Sequence, residues 1–120
     1  MTARKFDNGK PRMELLSPLA LREIAKVLTF GAIKYDEWNW AKGLDSMRLL
    51  GATLRHLALW QQGETIDPES GLSHLSHAAC NLMFMLHLAE TMPSMDSRPT
   101  ALMQTAPMLP TAMLLQLPCC

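Results

Sequence analysis

The sequence has no hydrophobic run of membrane length and no charged-then-apolar leader at its start, so the expectation is a cytosolic protein that does not touch a membrane. Its three cysteines, Cys80 inside a helical stretch and Cys119 and Cys120 at the far end, supply no disulfide framework and fit a reducing compartment. No glycine-rich phosphate loop, Walker signature, GxSxG elbow or CxxC pair occurs. Those absences argue against P-loop chemistry, an α/β-hydrolase and a structural zinc finger. Net charge is also absent, with 11 basic and 11 acidic residues, which is not the balance of a protein that binds duplex nucleic acid. Alternating strand patterns and internal repeats are missing too. At 120 residues and 48% hydrophobic content, one all-α domain is expected: a small bundle of about three to four helices.

The charge that is present is uneven. Residues 1–13 carry +3 (Arg4, Lys5, Lys10 and Arg12 against Asp7), and residues 14–90 carry −3. The division predicts a basic extended arm over 1–17, turned by Asn8-Gly9 and Pro11, with Phe6 as a possible anchor. Residues 18–91 form the predicted helical domain. Residues 92–120 hold five of the eight prolines and five of the ten methionines, and read as a tail, disordered or draped over a neighbour's apolar groove.

Ser17-Pro18 is a helix start, and the first helix is predicted to run to about Tyr35. Its core face is read as Leu21, Ile24, Leu28, Ala32 and Tyr35. A second row, Glu23, Val27, Phe30 and Lys34, mixes charge into an apolar stripe. The loop Asp36–Leu44 carries Trp38 and Trp40 around Asn39; the tryptophans either cover the core or form a wall for a base. A second helix is predicted from Ser46 to Gln62, with Met47, Leu50, Leu54 and Leu57 as its core face and Gly63 as its stop. His56 is set beside that core, and Arg48 and Arg55 are assigned to the far side, Arg55 being equally a phosphate contact or a surface charge.

The richest stretch is Gly63–Asn81, GETIDPESGLSHLSHAACN, with Glu64, Asp67, Glu69, His74, His77 and Asn81. On a helix of about 100° per residue, His74, His77 and Asn81 share one stripe. Leu75, Ala79, Leu82, Leu86 and Ala89 form an apolar face beside it, so the third helix is expected to be buried on two sides. Pro68 and Gly71 keep the carboxylates on irregular backbone, an arrangement that suits a hard cation such as Mg²⁺ or Mn²⁺.

Five ordered blocks, KFDNGKPRMELLSP, VLTFGAIKY, NWAKG, LLGATLRHLALWQQGE and DPESGLSHLSHAACNLMFML, resemble the N-terminal domain of the phage-associated dATP/dGTP diphosphohydrolase family over about residues 5–90. The resemblance implies a MazG-like all-α nucleotide pyrophosphohydrolase. Such an enzyme splits a purine deoxynucleoside triphosphate into monophosphate and pyrophosphate with Mg²⁺ or Mn²⁺. The EExxE run of the wider MazG-like group is missing: the first helix offers only Glu23, and the nearest ExxD is Glu64 to Asp67. Either the metal site is rebuilt with histidines, from Glu64, Asp67, His74 and His77, or catalysis is lost; the first is the expectation taken forward. Catalytic roles are expected for Glu23, Glu64, Asp67 and His77, with Glu23 as an additional ligand or the base that orients water. Substrate contacts are expected from Lys34, Tyr35, Asn39, Trp40, Arg55, His56 and Asn81. Apolar faces on two sides predict a homodimer or higher oligomer. The rival reading is a non-catalytic protein that sequesters a purine nucleotide in the same pocket.

Overall fold

In a computed structural model, residues 2–99 are described. The predicted tail lies outside the described residues from residue 100 onward. Three α-helices make up the domain: α1 (Pro18–Lys34), α2 (Ser46–Gln61) and α3 (His74–Thr91), with 3-10 turns at Met13–Leu15, Asn39–Lys42 and Pro93–Met95. Among the described residues there is no strand, only an isolated bridge between Ile66 and Ser73. None of the described helices is long and apolar enough to cross a membrane.

Each helix begins where local chemistry dictates. Ser17 Oγ accepts from Ala20 N, with Pro18 at the first helical position; Asp45 accepts from Arg48 N; Ser73 Oγ accepts from Leu75 N. These caps satisfy amides that the helix leaves without partners. Gly63, at φ 102°, turns the chain out of α2 in a backbone region that glycine enters without strain. The segment before α1 is exposed throughout, and Phe6 anchors to nothing there.

α1 and α2 both pack on α3 rather than on each other. The faces they turn inward are not the leucine rows. In α2 the buried row is Leu49 and Thr53, continued by half-buried His56, while Met47, Leu54 and Leu57 of the predicted core face are exposed. Thr53 makes this possible because its hydroxyl donates to the Leu49 carbonyl (2.8 Å), leaving no orphaned polar atom. In α1 the mixed row faces inward through buried Val27, whereas Leu21 and Tyr35 of the predicted apolar face are exposed. The expectation that α3 is buried on two sides also fails within one chain: Ala78, Cys80 and Leu88 are buried, but Leu75, Leu82 and Leu86 stand in solvent, Leu86 72% exposed. Apolar periodicity identifies the apolar face of a helix; it does not say whether the same chain covers it.

Beyond α3 the chain folds back. Ser97 N donates to Ser46 Oγ (2.9 Å) and Ser97 Oγ accepts from Met47 N (3.1 Å), tying residues 92–98 to the start of α2. Met92 and Met95 lie over Gly43, where an added Cβ would meet their sulfurs at 2.7 and 3.1 Å. Gly43 also sits at φ 115°, so both space and backbone require glycine there.

Candidate active site

Because α1 and α2 lean on α3 from different sides, a groove of about 1320 Å³ opens between them. α3 lines it through His77, Cys80, Asn81, Phe84 and His87; α2 through Arg48, Arg55 and His56; α1 and the following loop through Phe30, Lys34, Tyr35, Trp38, Asn39 and Trp40. Asp67 and Glu69 reach it from the loop that precedes α3.

That loop is held tightly. Asp67 N donates to Leu72 O (2.8 Å), Gly71 N to Asp67 O (2.8 Å), and His74 N to Thr65 O (3.0 Å). The Asp67 carboxylate accepts from Ser70 Oγ (3.1 Å), and the same hydroxyl lies 2.6 Å from His77 Nε2. His77 Nε2 is also 3.4 Å from Asp67 Oδ2. A carboxylate only accepts, so Ser70 gives its proton to Asp67 and takes one from His77 Nε2–H. The His77 ring stacks on His56 with centroids 4.6 Å apart and planes 5° from parallel, and the edge of Phe30 approaches it.

A second cluster lies behind the first. His74 is 0% exposed; its Nε2 is 3.0 Å from Glu64 Oε2 and its Nδ1 is 2.8 Å from His56 Nδ1. The four expected metal ligands therefore divide into two pairs, Glu64 with His74 and Asp67 with His77. Among the described residues, no three His, Cys, Asp or Glu side chains converge on a point that would hold an ion. Glu64 and His74 do not line the groove at all.

The other expected contacts are distributed as follows. Lys34, Tyr35, Asn39, Trp40, Arg55, His56, Asp67, His77 and Asn81 all line the groove. Glu23 does not: its carboxylate is occupied on its own helix by Lys26 (3.0 Å) and Arg22 (3.5 Å), and the role of extra ligand or base has no geometric support. Lys34 Nζ pairs with Glu69 across 35 residues of sequence, which joins the end of α1 to the loop. Arg48 and Arg55 are on the groove side rather than the far side, because α2 is rotated to bring Thr53 and His56 to α3. Gly51, one turn before Arg55, leaves room for the guanidinium, whose Nη1 is 3.3 Å from where a Cβ would stand.

Trp40 is not free. It stacks on Phe84 (4.8 Å, 20°), meets the edge of His87 (5.0 Å) and has Trp38 tilted against it at 5.8 Å. Trp38 is 70% exposed and sits at φ 60°, the single non-glycine residue with positive φ among the described residues. Such a backbone is costly for a bulky side chain and recurs at ligand clamps. The sequence reading missed Ser70 as the link between Asp67 and His77; a serine three residues after an aspartate in the turn Asp67-Pro68-Glu69-Ser70 is the signal that was available.

Burial lowers the pKa of His56, with the neighbouring imidazoles adding to the effect, and burial lowers that of His77 despite Asp67. At Asp67 burial works upward, and is outweighed by hydrogen bonds from Ser70 and the Glu69 amide and by His77. Burial pushes the Cys80 thiol up to about 11, which makes it an inert wall. The imidazole shifts have a sign. Below the ordinary 6.5 the unfolded chain takes up protons that His56 and His77 refuse in the fold, so the unfolded state gains. Stability is expected to fall as pH drops through 6.5 towards the lowered folded values, and to level off below them. Urea midpoints at about pH 7.5 and about pH 5.5 check this, and equal midpoints would contradict it.

With the geometry in place, comparison with known proteins is decisive on one point. The family model described as dATP/dGTP diphosphohydrolase, N-terminal, matches residues 1–98. The chain belongs to this family. It is also 42% identical over 98 residues to a protein of Salmonella phage PMBT28 named dATP/dGTP diphosphohydrolase; the match takes in 82% of this chain and 33% of that protein. The chain thus spans about a third of the length of the curated relative it matches. No solved structure matches it. Every residue lining the groove falls inside the part matched by the dATP/dGTP diphosphohydrolase N-terminal family.

Proposed function

We propose that the groove binds a purine deoxynucleoside triphosphate, dATP or dGTP, and hydrolyses it to the monophosphate and pyrophosphate. The observation that carries this is the composition of the groove lining: Lys34, Arg48 and Arg55, which suit phosphate oxygens, share it with Asp67, His56 and His77, which can orient water. The name of the phage relative, dATP/dGTP diphosphohydrolase, supports the same substrate class.

Arg55 and Arg48 offer the planar donors that grip phosphates, and Lys34 joins them when the incoming anion displaces Glu69. Of the two groove tryptophans Trp38 is the more exposed, so we assign base stacking to it; Trp40, held by Phe84 and His87, backs it. Asn81, Asn39 and Tyr35 line the groove and serve the sugar and the base edge.

The donor set does not fit a resident metal cage. It does fit Mg²⁺ or Mn²⁺ arriving with the triphosphate, because such an ion needs only one or two carboxylates besides phosphate oxygens and water. Asp36, Glu37, Asp45, Asp67 and Glu69 all line the groove; Asp67, beside His77, and Glu69, two residues on in the same loop, would hold it. When bound, the ion supplies neutralisation of phosphate charge. Protein groups do the rest: Asp67 and Ser70 fix the His77 ring, and the imidazole pair presents nitrogen lone pairs to water.

The relative's phage origin fits a role in managing purine deoxynucleotide pools in a host cytoplasm. The exposed row Leu75, Leu82 and Leu86 also supports a homodimer or higher oligomer, and a single-protomer mass by light scattering would overturn that part.

The test of the reading is incubation with a panel of deoxynucleoside and ribonucleoside triphosphates plus Mg²⁺ or Mn²⁺, with products separated by chromatography. Monophosphate and pyrophosphate from dATP or dGTP are expected. Absence of any product from every nucleotide and both ions would overturn hydrolysis by this domain.

A further inference from the structure

Glu64 and His74 were expected at the chemistry, yet the structure sets them behind it, and their bonding has a consequence for His56. A carboxylate can only accept, so the 3.0 Å contact between Glu64 Oε2 and His74 Nε2 places a proton on that nitrogen. In a neutral His74 ring, Nδ1 is then a bare acceptor. It faces His56 Nδ1 at 2.8 Å, a contact in which one nitrogen must donate and the other accept. The donor is His56 Nδ1–H. His56 lines the groove and His74 does not, so the nitrogen left for the groove is His56 Nε2, without a proton.

We infer that Glu64 and His74 form a positioning relay that locks His56 as the Nδ1-protonated tautomer, making its Nε2 the proton acceptor for water in the groove. The relay is rigid: His74 is fully buried, its amide is tied to Thr65 O (3.0 Å), and the His56 ring is clamped on its flat side by His77 at 4.6 Å. A histidine held by a carboxylate through its other nitrogen keeps one tautomer and one orientation, the arrangement that general-base imidazoles require. Here the carboxylate acts one imidazole further away.

The catalytic half of this inference rests on the hydrolysis proposed above. In that reaction the water oxygen attacks the α-phosphorus and its proton passes to His56 Nε2. The bond from the α-phosphorus to the bridging oxygen breaks, its electron pair leaves with pyrophosphate, and His56 returns the proton to solvent.

Two measurements test the relay. Ring-nitrogen shifts of isotope-labelled histidine in the unaltered protein, with His56 assigned by His56→Gln, are expected to show His56 protonated at Nδ1 and bare at Nε2. That experiment needs no turnover and no altered fold. Glu64→Ala is expected to mix the His56 tautomers and to lower kcat about 10-fold to 100-fold with KM unchanged. A His56 protonated at Nε2 in the unaltered protein would mean that the relay runs the other way and would sink the inference. Unaltered shifts and kcat in Glu64→Ala would do the same. Failure of the unaltered protein to hydrolyse any nucleotide would remove the catalytic half alone, leaving the nitrogen shifts to decide the relay.

Discussion

Asp67→Asn is expected to reduce dATP or dGTP turnover by about 100-fold or more while leaving the fold intact. Asparagine has the same shape: its amide oxygen still accepts from the Glu69 amide (3.4 Å), and its NH2, in the place of Oδ2, donates to Ser70 Oγ (3.1 Å), so both contacts that hold the turn persist with the second reversed in direction. What is lost is the charge. Asp67 is the carboxylate beside His77, and with Glu69 it is placed by the loop before α3 to meet a cation brought in by the triphosphate. Neutralising it removes an electrostatic partner that matters most as charge develops in the reaction. The check is kcat at saturating Mg²⁺ and Mn²⁺ together with the thermal midpoint of each protein. Full turnover in the variant would show that the chemistry does not depend on this carboxylate.

Leu88→Ala is expected to lower the free energy of unfolding by about 3 kcal/mol, within the range of about 2–5 kcal/mol for leucine deletions in packed interiors. The site is 3% exposed, and the buried apolar residues among those described are only Val27, Leu49, Ala78, Cys80 and Leu88. Domains of this kind are stable by roughly 5–15 kcal/mol, so the loss is a large share of the whole. Leu86→Ala is the matched control, since its side chain is mostly in solvent. At a concentration where the chain is a single protomer, that change should stay within about 0.5 kcal/mol. Urea unfolding of both variants reads the contrast, and equal losses would refute the placement of the core.

Features set by neighbouring residues were legible in the sequence. Ser17-Pro18 and Gly63 mark helix ends because caps and turns involve atoms only a few bonds apart, and both do so here. The all-helical class followed from periodicity in the same way. Rotation of each helix about its axis was not legible, since it depends on which face meets α3. The leucine rows of α2 and α3 are the most apolar, yet the protein turns Leu49, Thr53 and His56 inward, and this carries Arg48 and Arg55 round to the groove. The ligand-rich stretch was found by composition, but its division into two bonded pairs depends on the path of the turn through Pro68 and Gly71. Glu23 was assigned by residue type alone, and two cations on its own helix occupy it.

The order of the helices along the chain has a consequence for how the protein is made. α1 and α2 both use α3 as their partner, and α3 comes last of the three. Until residues through Thr91 have left the ribosome, neither earlier helix has its surface to pack on, and helices of 17 and 16 residues are marginal alone. The domain therefore folds in one late event rather than helix by helix during synthesis, and the nascent chain carries Val27 and Leu49 uncovered until then.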